Sequence, residues 1–329
     1  MKILKRVLKI LLIVLISLFA VILVANIVKR VMFSEFYSTA RSEGAVPGIA
    51  DGFVQQGLDA YDGGFLVSGY MADKSNSRIY YTKDGETSYT VLTKADGSKF
   101  TGHSGGISHS GDYLYIGGSK GVYVFSLADI FDGDGKAAQL GFVRTFLNAA
   151  WSEVYDGKLI VGSFWYEPEG YTTSEWQEVT TPAGDENHSM ITVFELDENA
   201  EFGVNPAPVC VYSTNMKVQG AAFCERGIIL STSIALQPSE FRFYKTEGLT
   251  QDRITLTDGE ESYADLPLYY LDSSNHTHTV TAFPMAEEIV IKDGRVYVMN
   301  ESASNKYIYG KLFGMDNFYS FELRDEYFE

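Results

Sequence analysis

The sequence predicts an all-β domain of repeated antiparallel units behind a single N-terminal apolar helix. Three observations predict it. An uncharged run from Ile10 to Val28 lies between basic clusters, no stretch beyond residue 50 has helical apolar periodicity, and short alternating runs recur there between Gly, Asp and Asn turns. The 329 residues are 45% hydrophobic and 21% charged, enough for a large packed core, and the 22 Tyr and 21 Phe suit pleated surfaces.

Lys2, Lys5, Arg6 and Lys9 precede the apolar run, and Lys29 and Arg30 close it. Nineteen residues at a 1.5 Å rise cover about 28 Å, close to a bilayer's hydrocarbon core. Ala25 follows Leu23 by two positions, a poor small-x-small cleavage site, so an uncleaved signal-anchor is expected. Four basic residues before the span against two after it place the N-terminus inside. Residues 1–9 then form a cytoplasmic basic tail, 10–28 a single-pass transmembrane signal-anchor in the cell membrane, and 29–45 a linker. Residues 46–329 form the extracytoplasmic domain.

Five units follow. The first opens at Gln56-Gly57-Leu58, turns at Asp62-Gly63-Gly64 and returns on Phe65–Gly69, with Arg78–Tyr81 after it. The second opens at His103–Ile107, the third at Asn148–Trp151, the fourth at Gln219–Phe223 and the fifth at Glu287–Ile289. Small residues such as Gly105, Gly106, Ala149, Ala150, Ala221 and Ala222 suit innermost strands that converge on an axis. A four-stranded meander repeated around an axis is a β-propeller blade. Five openings favour five blades, and six would require an inner strand within 239–283. Insertions fall at Phe164–Ser189 in the third unit and Thr246–Leu266 in the fourth. Either Phe241–Lys245 or Leu268–Leu271 is then the fourth unit's third strand. The fifth unit leaves little chain for an outer strand, so Phe36–Ala45 is expected to supply it and close the ring.

The net charge is −17, and because the first thirty residues hold six Lys/Arg and no acid, the remainder stands at −23. Such a surface repels phosphate backbones and argues against nucleic acid as a partner. Cys210 and Cys224 fall on an outer strand and the next inner strand, too far apart for a disulfide.

Polar residues at the unit openings, Gln56, His103, Asn148, Gln219 and Glu287 with Glu288, are either hydrogen-bonding groups that tie neighbouring openings and rigidify the ring or candidate ligand-binding groups around one channel mouth. Adjacent strand residues face opposite ways, and Glu287 is expected to be the inward one of its pair. The third-unit insertion sets Trp165, Tyr166, Tyr171 and Trp176 among four glutamates, a composition that suits a sugar-stacking surface or a loop packed on the rim. Asp132-Gly133-Asp134-Gly135 reads as a turn, because Ile130 and Gly141 stand where a calcium loop needs ligands. His276 and His278 read as ordinary strand residues on the opposite face.

Gly102–Ile107, Val218–Phe223, Met285–Ile289 and Gln56–Leu58 resemble a family of membrane-anchored or secreted β-propellers of Gram-positive bacteria, over about residues 45–325. More distantly, the pattern is similar to the gluconolactonase, strictosidine synthase and paraoxonase group. That resemblance implies a channel metal, often calcium, with Glu287 and Asn148 in comparable places. Gln56, His103 and Gln219 stand where that group has further carboxylates. The expected function is a cell-surface module that binds glycan, peptide or other envelope material, or an envelope protein, at the channel mouth. The alternatives are a metal-assisted hydrolase or lactonase using Glu287, Asn148 and His103, and a structural envelope scaffold.

Overall fold

Turn chemistry sets the local structure. Asp62-Gly63, Asp156-Gly157 and Asp293-Gly294 have positive φ at both residues, the conformation of two-residue hairpins whose twist matches the flanking strands. Each joins an innermost strand to the second strand of its sheet. The computed structural model describes residues 2–131 and 134–329, so the Asp132-Gly133 part of the anticipated turn lies outside the described residues.

The described residues form five sheets of four or more strands. The first contains Phe53–Tyr61, Gly64–Met71, Arg78–Lys83 and Glu86–Thr93, and the second Ile107–Ser110, Tyr113–Gly118, Gly121–Ser126 and Gly141–Arg144. The third runs Ala149–Tyr155, Lys158–Ser163, Ser189–Leu196 and Val204–Thr214, and the fourth Val218–Cys224, Gly227–Thr232, Ser239–Lys245 and His276–Ala282. Ala286–Lys292, Arg295–Asn300 and Asn317–Glu322 belong to the fifth, whose outer strand is Arg41–Ala45 from the start of the chain. The first strands of the five sheets abut in cyclic order, the fifth returning to the first. This is a β-propeller, with sheets standing radially around an axis.

Two excursions leave one sheet to extend another. Lys136–Ala138, between the third and fourth strands of the second sheet, pairs parallel with Glu86–Thr93 of the first. The fourth-unit insertion forms a hairpin, Gln251–Thr257 with Ser262–Tyr270, that pairs parallel with Val204–Thr214 of the third sheet. Ser239–Lys245 is therefore the fourth sheet's third strand. His276 and His278 stand on its outer strand. Cys210 and Cys224 are free and half-buried.

The N-terminal helix, Lys2–Met32, contains one segment long and apolar enough to cross a membrane. A second short helix, Ser34–Thr39, follows at once, where an extended strand is expected from Phe36. The reason is spacing: Phe33 and Phe36, three residues apart on one helical face, enter the core between the fourth and fifth sheets. Phe36 lies 6.1 Å from the Phe241 ring and 5.5 Å from that of Phe321. Only Arg41–Ala45 is strand, and it pairs antiparallel with Asn317–Glu322.

Candidate active or binding site at the channel mouth

Inner strands approach from one face of the ring, and second-to-third-strand connections open on the same face. A bulge near that face breaks the register in four inner strands: at Gln56, Ala150, Gln219 and the pair Glu287-Glu288. Pairing with the second strands makes Leu58, Ile107, Ser152, Ala221 and Ile289 equivalent around the ring. Gly105 and Ala150 therefore match Gln56, Gln219 and Glu287. His103 and Asn148 stand two residues earlier, outside the ring of equivalent positions.

The structure also corrects the orientation of the acidic pair. Glu288 is the residue that reaches across the axis. Its Oε2 accepts from the backbone N–H groups of Leu58 at 2.7 Å and Ile107 at 2.8 Å, and its Oε1 from that of Ser152 at 3.2 Å. A Cβ added at Gly106 would lie 2.2 Å from Oε1, so only glycine leaves room for this group. Below it, Asp59 meets His109 Nδ1 at 2.5 Å, and Glu153 accepts from the Phe223 N–H at 3.0 Å. Burial raises the pKa of Asp59, Glu153 and Glu288; His109 also rises, because Asp59 outweighs burial there. These contacts tie neighbouring sheets together.

Glu287 lies in a different cluster. Burial first, then the charges of Glu301 and Glu288, hold its carboxyl well above the usual range. Glu301, on the connection after Asn300, accepts from Tyr70 Oη at 3.0 Å, and Tyr307 and Gln56 also face it. The Lys306 ammonium stands 2.6 Å from Tyr70 Oη, 3.8 Å from Glu301 Oε1, and 5.2 and 4.9 Å from the ring centres of Tyr70 and Tyr307. His103 stacks on the other side of this group, 5.0 Å from the Tyr70 ring, with an exposed edge. Desolvation and then Lys306 lower its pKa. Gln56, His103 and Glu287 thus border one mouth cluster whose other members, Tyr70, Glu301, Lys306 and Tyr307, lie on connections and a second strand.

The remaining candidates are elsewhere. Gln219 occupies the bulge of the fourth sheet's inner strand, half-buried. Asn148 Oδ1 accepts from the Lys120 N–H at 3.2 Å, in a rim cleft of about 290 Å³ shared with Thr173, Gln177 and Asp258. Asn148 and Glu287 therefore have separate partners, and among the described residues no three His, Cys, Asp or Glu side chains converge as a metal-holding group. The insertion rings mostly face the protein. Trp165 is buried and stacked 4.0 Å from His188, Trp176 packs on the core beside the third sheet, and Lys217 lies over Tyr166 at 5.1 Å. Tyr171 is the exposed one.

No family model matches the chain, and no curated protein matches it. Solved β-propeller structures do. A nidogen/laminin complex aligns over 76% of this chain and 73% of the other, at 12% identity and a TM-score of 0.39. BamB from Moraxella catarrhalis aligns over 85% and 96%, at 10% identity and 0.30. Apo AztD from Citrobacter koseri aligns over 74% and 80%, at 13% and 0.27.

Proposed function

We propose that the chain is a membrane-anchored, extracytoplasmic binding propeller whose mouth cluster holds an amine-bearing envelope ligand, such as an amino sugar or a peptide amine. One observation carries this reading: the chain's own Lys306 ammonium already occupies a recess of Tyr70, Tyr307 and Glu301. A carboxylate flanked by aromatic faces is the chemistry that recognises an ammonium group. Lys306 is 44% exposed at its side chain, so it can swing aside and yield the recess to a ligand. Glu287 and Gln56 then border the ligand from the ring.

Calorimetric titration of the full-length protein in detergent, with glucosamine oligomers and their N-acetylated counterparts, tests this. The free amines should bind at least tenfold more tightly than the acetylated sugars. Glu301→Gln should weaken that binding about tenfold, and Lys306→Ala should strengthen it by removing the internal competitor. Equal affinity for both sugars, or an unaltered affinity in Glu301→Gln, overturns the reading.

A further inference from the structure

We infer that the mouth face of the propeller rests on the outer surface of the membrane that the N-terminal helix crosses, with Leu236 and Leu312 entering the lipid head-group layer. The inference rests on the anchoring proposed above and adds the orientation of the domain.

The direction of the helix fixes the face. Asn26 Nδ2 donates to the Leu312 carbonyl at 2.9 Å, and the Lys29 ammonium donates to that of Phe313, both on the fifth sheet's mouth-side connection. Phe33 packs against Phe283, where the chain approaches the fifth inner strand. Glu35 reaches His278, and the Thr39 carbonyl accepts from Arg295, near the opposite face. From residue 26 to residue 39 the chain therefore descends from mouth to base. Residues 3–21 extend beyond the mouth side, exposed along their length. No flexible linker intervenes, because the two helices follow one another with one residue between them.

The surface chemistry of that face points the same way. Outside the long helix, the three most exposed large apolar residues among those described are Leu236 at 70%, Tyr171 at 53% and Leu312 at 51%. All three lie on mouth-side connections. Leu236 and Leu312 belong to the fourth and fifth sheets, between which the helix docks. Side chains so exposed lose water-facing apolar area if they enter the bilayer interface. Lys311, exposed on the same connection as Leu312, stands where lipid phosphates would meet it. The five inner hairpin turns on the opposite face all contain an acid, at Asp62, Asp112, Asp156, Glu225 and Asp293, whereas the mouth-side acids Glu167, Glu169, Glu175 and Glu178 stand on the third sheet's insertion rather than on the connections that carry Leu236 and Leu312.

The test uses the full-length chain in lipid bilayer nanodiscs, with Cys210 and Cys224 replaced by Ala and a fluorophore attached at Leu236→Cys, Leu312→Cys, Asp156→Cys or Val14→Cys. Head-group spin-labelled lipid should quench the fluorophores at 236 and 312 at least threefold more than the one at 156. Acyl-chain spin label should quench the one at 14. If 14 is quenched while 236 and 312 behave like 156, the orientation is wrong and the anchor stands. If 14 escapes the acyl-chain quencher, the anchor fails and the orientation with it. Hydrogen exchange on the unaltered chain gives an independent reading: amides of 234–237 should exchange several-fold more slowly in nanodiscs than in detergent, and equal rates count against the contact.

Discussion

The Glu288 carboxyl accepts from backbone N–H groups of three other sheets, so one side chain satisfies donors that sequence distance separates by up to 230 residues. Removing it strands those donors in a dry place, where each costs about 1–3 kcal/mol. Glu288→Ala should therefore lower stability by about 3 kcal/mol or more, read as a drop in denaturant midpoint; an unchanged midpoint would mean water replaces the carboxyl without loss. The pH dependence follows from burial. Glu288, Glu153 and Glu287 hold their protons above the ordinary Glu value of 4.5, so the folded state keeps protons that the unfolded chain releases. Their stabilisation is full below that value and declines as pH rises toward the folded pKa. The thermal midpoint should fall as pH rises above that ordinary value, and Glu288→Gln, which cannot ionise, should fall less steeply. A parallel slope in both proteins would assign the effect to other groups.

At the level of elements, the helix Ser34–Thr39 and the strand Arg41–Ala45 do the joining. Phe36 stacks among Phe241, Tyr319 and Phe321, and truncating such a buried ring costs about 3–5 kcal/mol. Phe36→Ala should thus broaden or lower the melting transition, whereas Ser38→Ala, at an exposed position, should not; equal transitions would remove the helix from the cooperative unit. Much of this was readable from residues. Asp-Gly turns between alternating runs mark the hairpins, and paired small residues mark the inner strands. What escaped has a physical cause. Thr246–Leu266 reads as an insertion, and nothing in it names the edge its hairpin joins, because an exposed edge offers the same backbone groups in every sheet. Matching the openings by composition rather than by distance from the hairpin turn placed His103 and Asn148 two residues too early, and the bulge at Glu287-Glu288 breaks the alternation from which their facing was read. Tyr70, Glu301, Lys306 and Tyr307 carry no local motif; ring closure alone gathers them.

For the whole molecule, orientation governs what can be reached. The chain ends at the base, where Phe328 packs 5.4 Å from the Phe243 ring and Tyr327 stacks on His278. A reporter enzyme joined after Glu329 should be active outside the cytoplasm, and the protein should sediment with membranes. Activity on the cytoplasmic side would invert the topology, and mature protein in the medium would mean that the N-terminal segment is cleaved.

The pairing of Arg41–Ala45 with Asn317–Glu322 also sets an order of events in time. The first strand of the chain waits for the last, Asn317–Glu322, to be made. At about 5–20 residues per second of synthesis, that wait is roughly 15–55 s. During it the outer side of the N-terminal strand is an open template for other chains. A chain halted after Asp316 should stay sensitive to protease at Arg41 while the complete chain resists; equal resistance would show closure without this pair. Each new molecule is therefore briefly adhesive, and a neighbouring copy of the chain competes for its open edge.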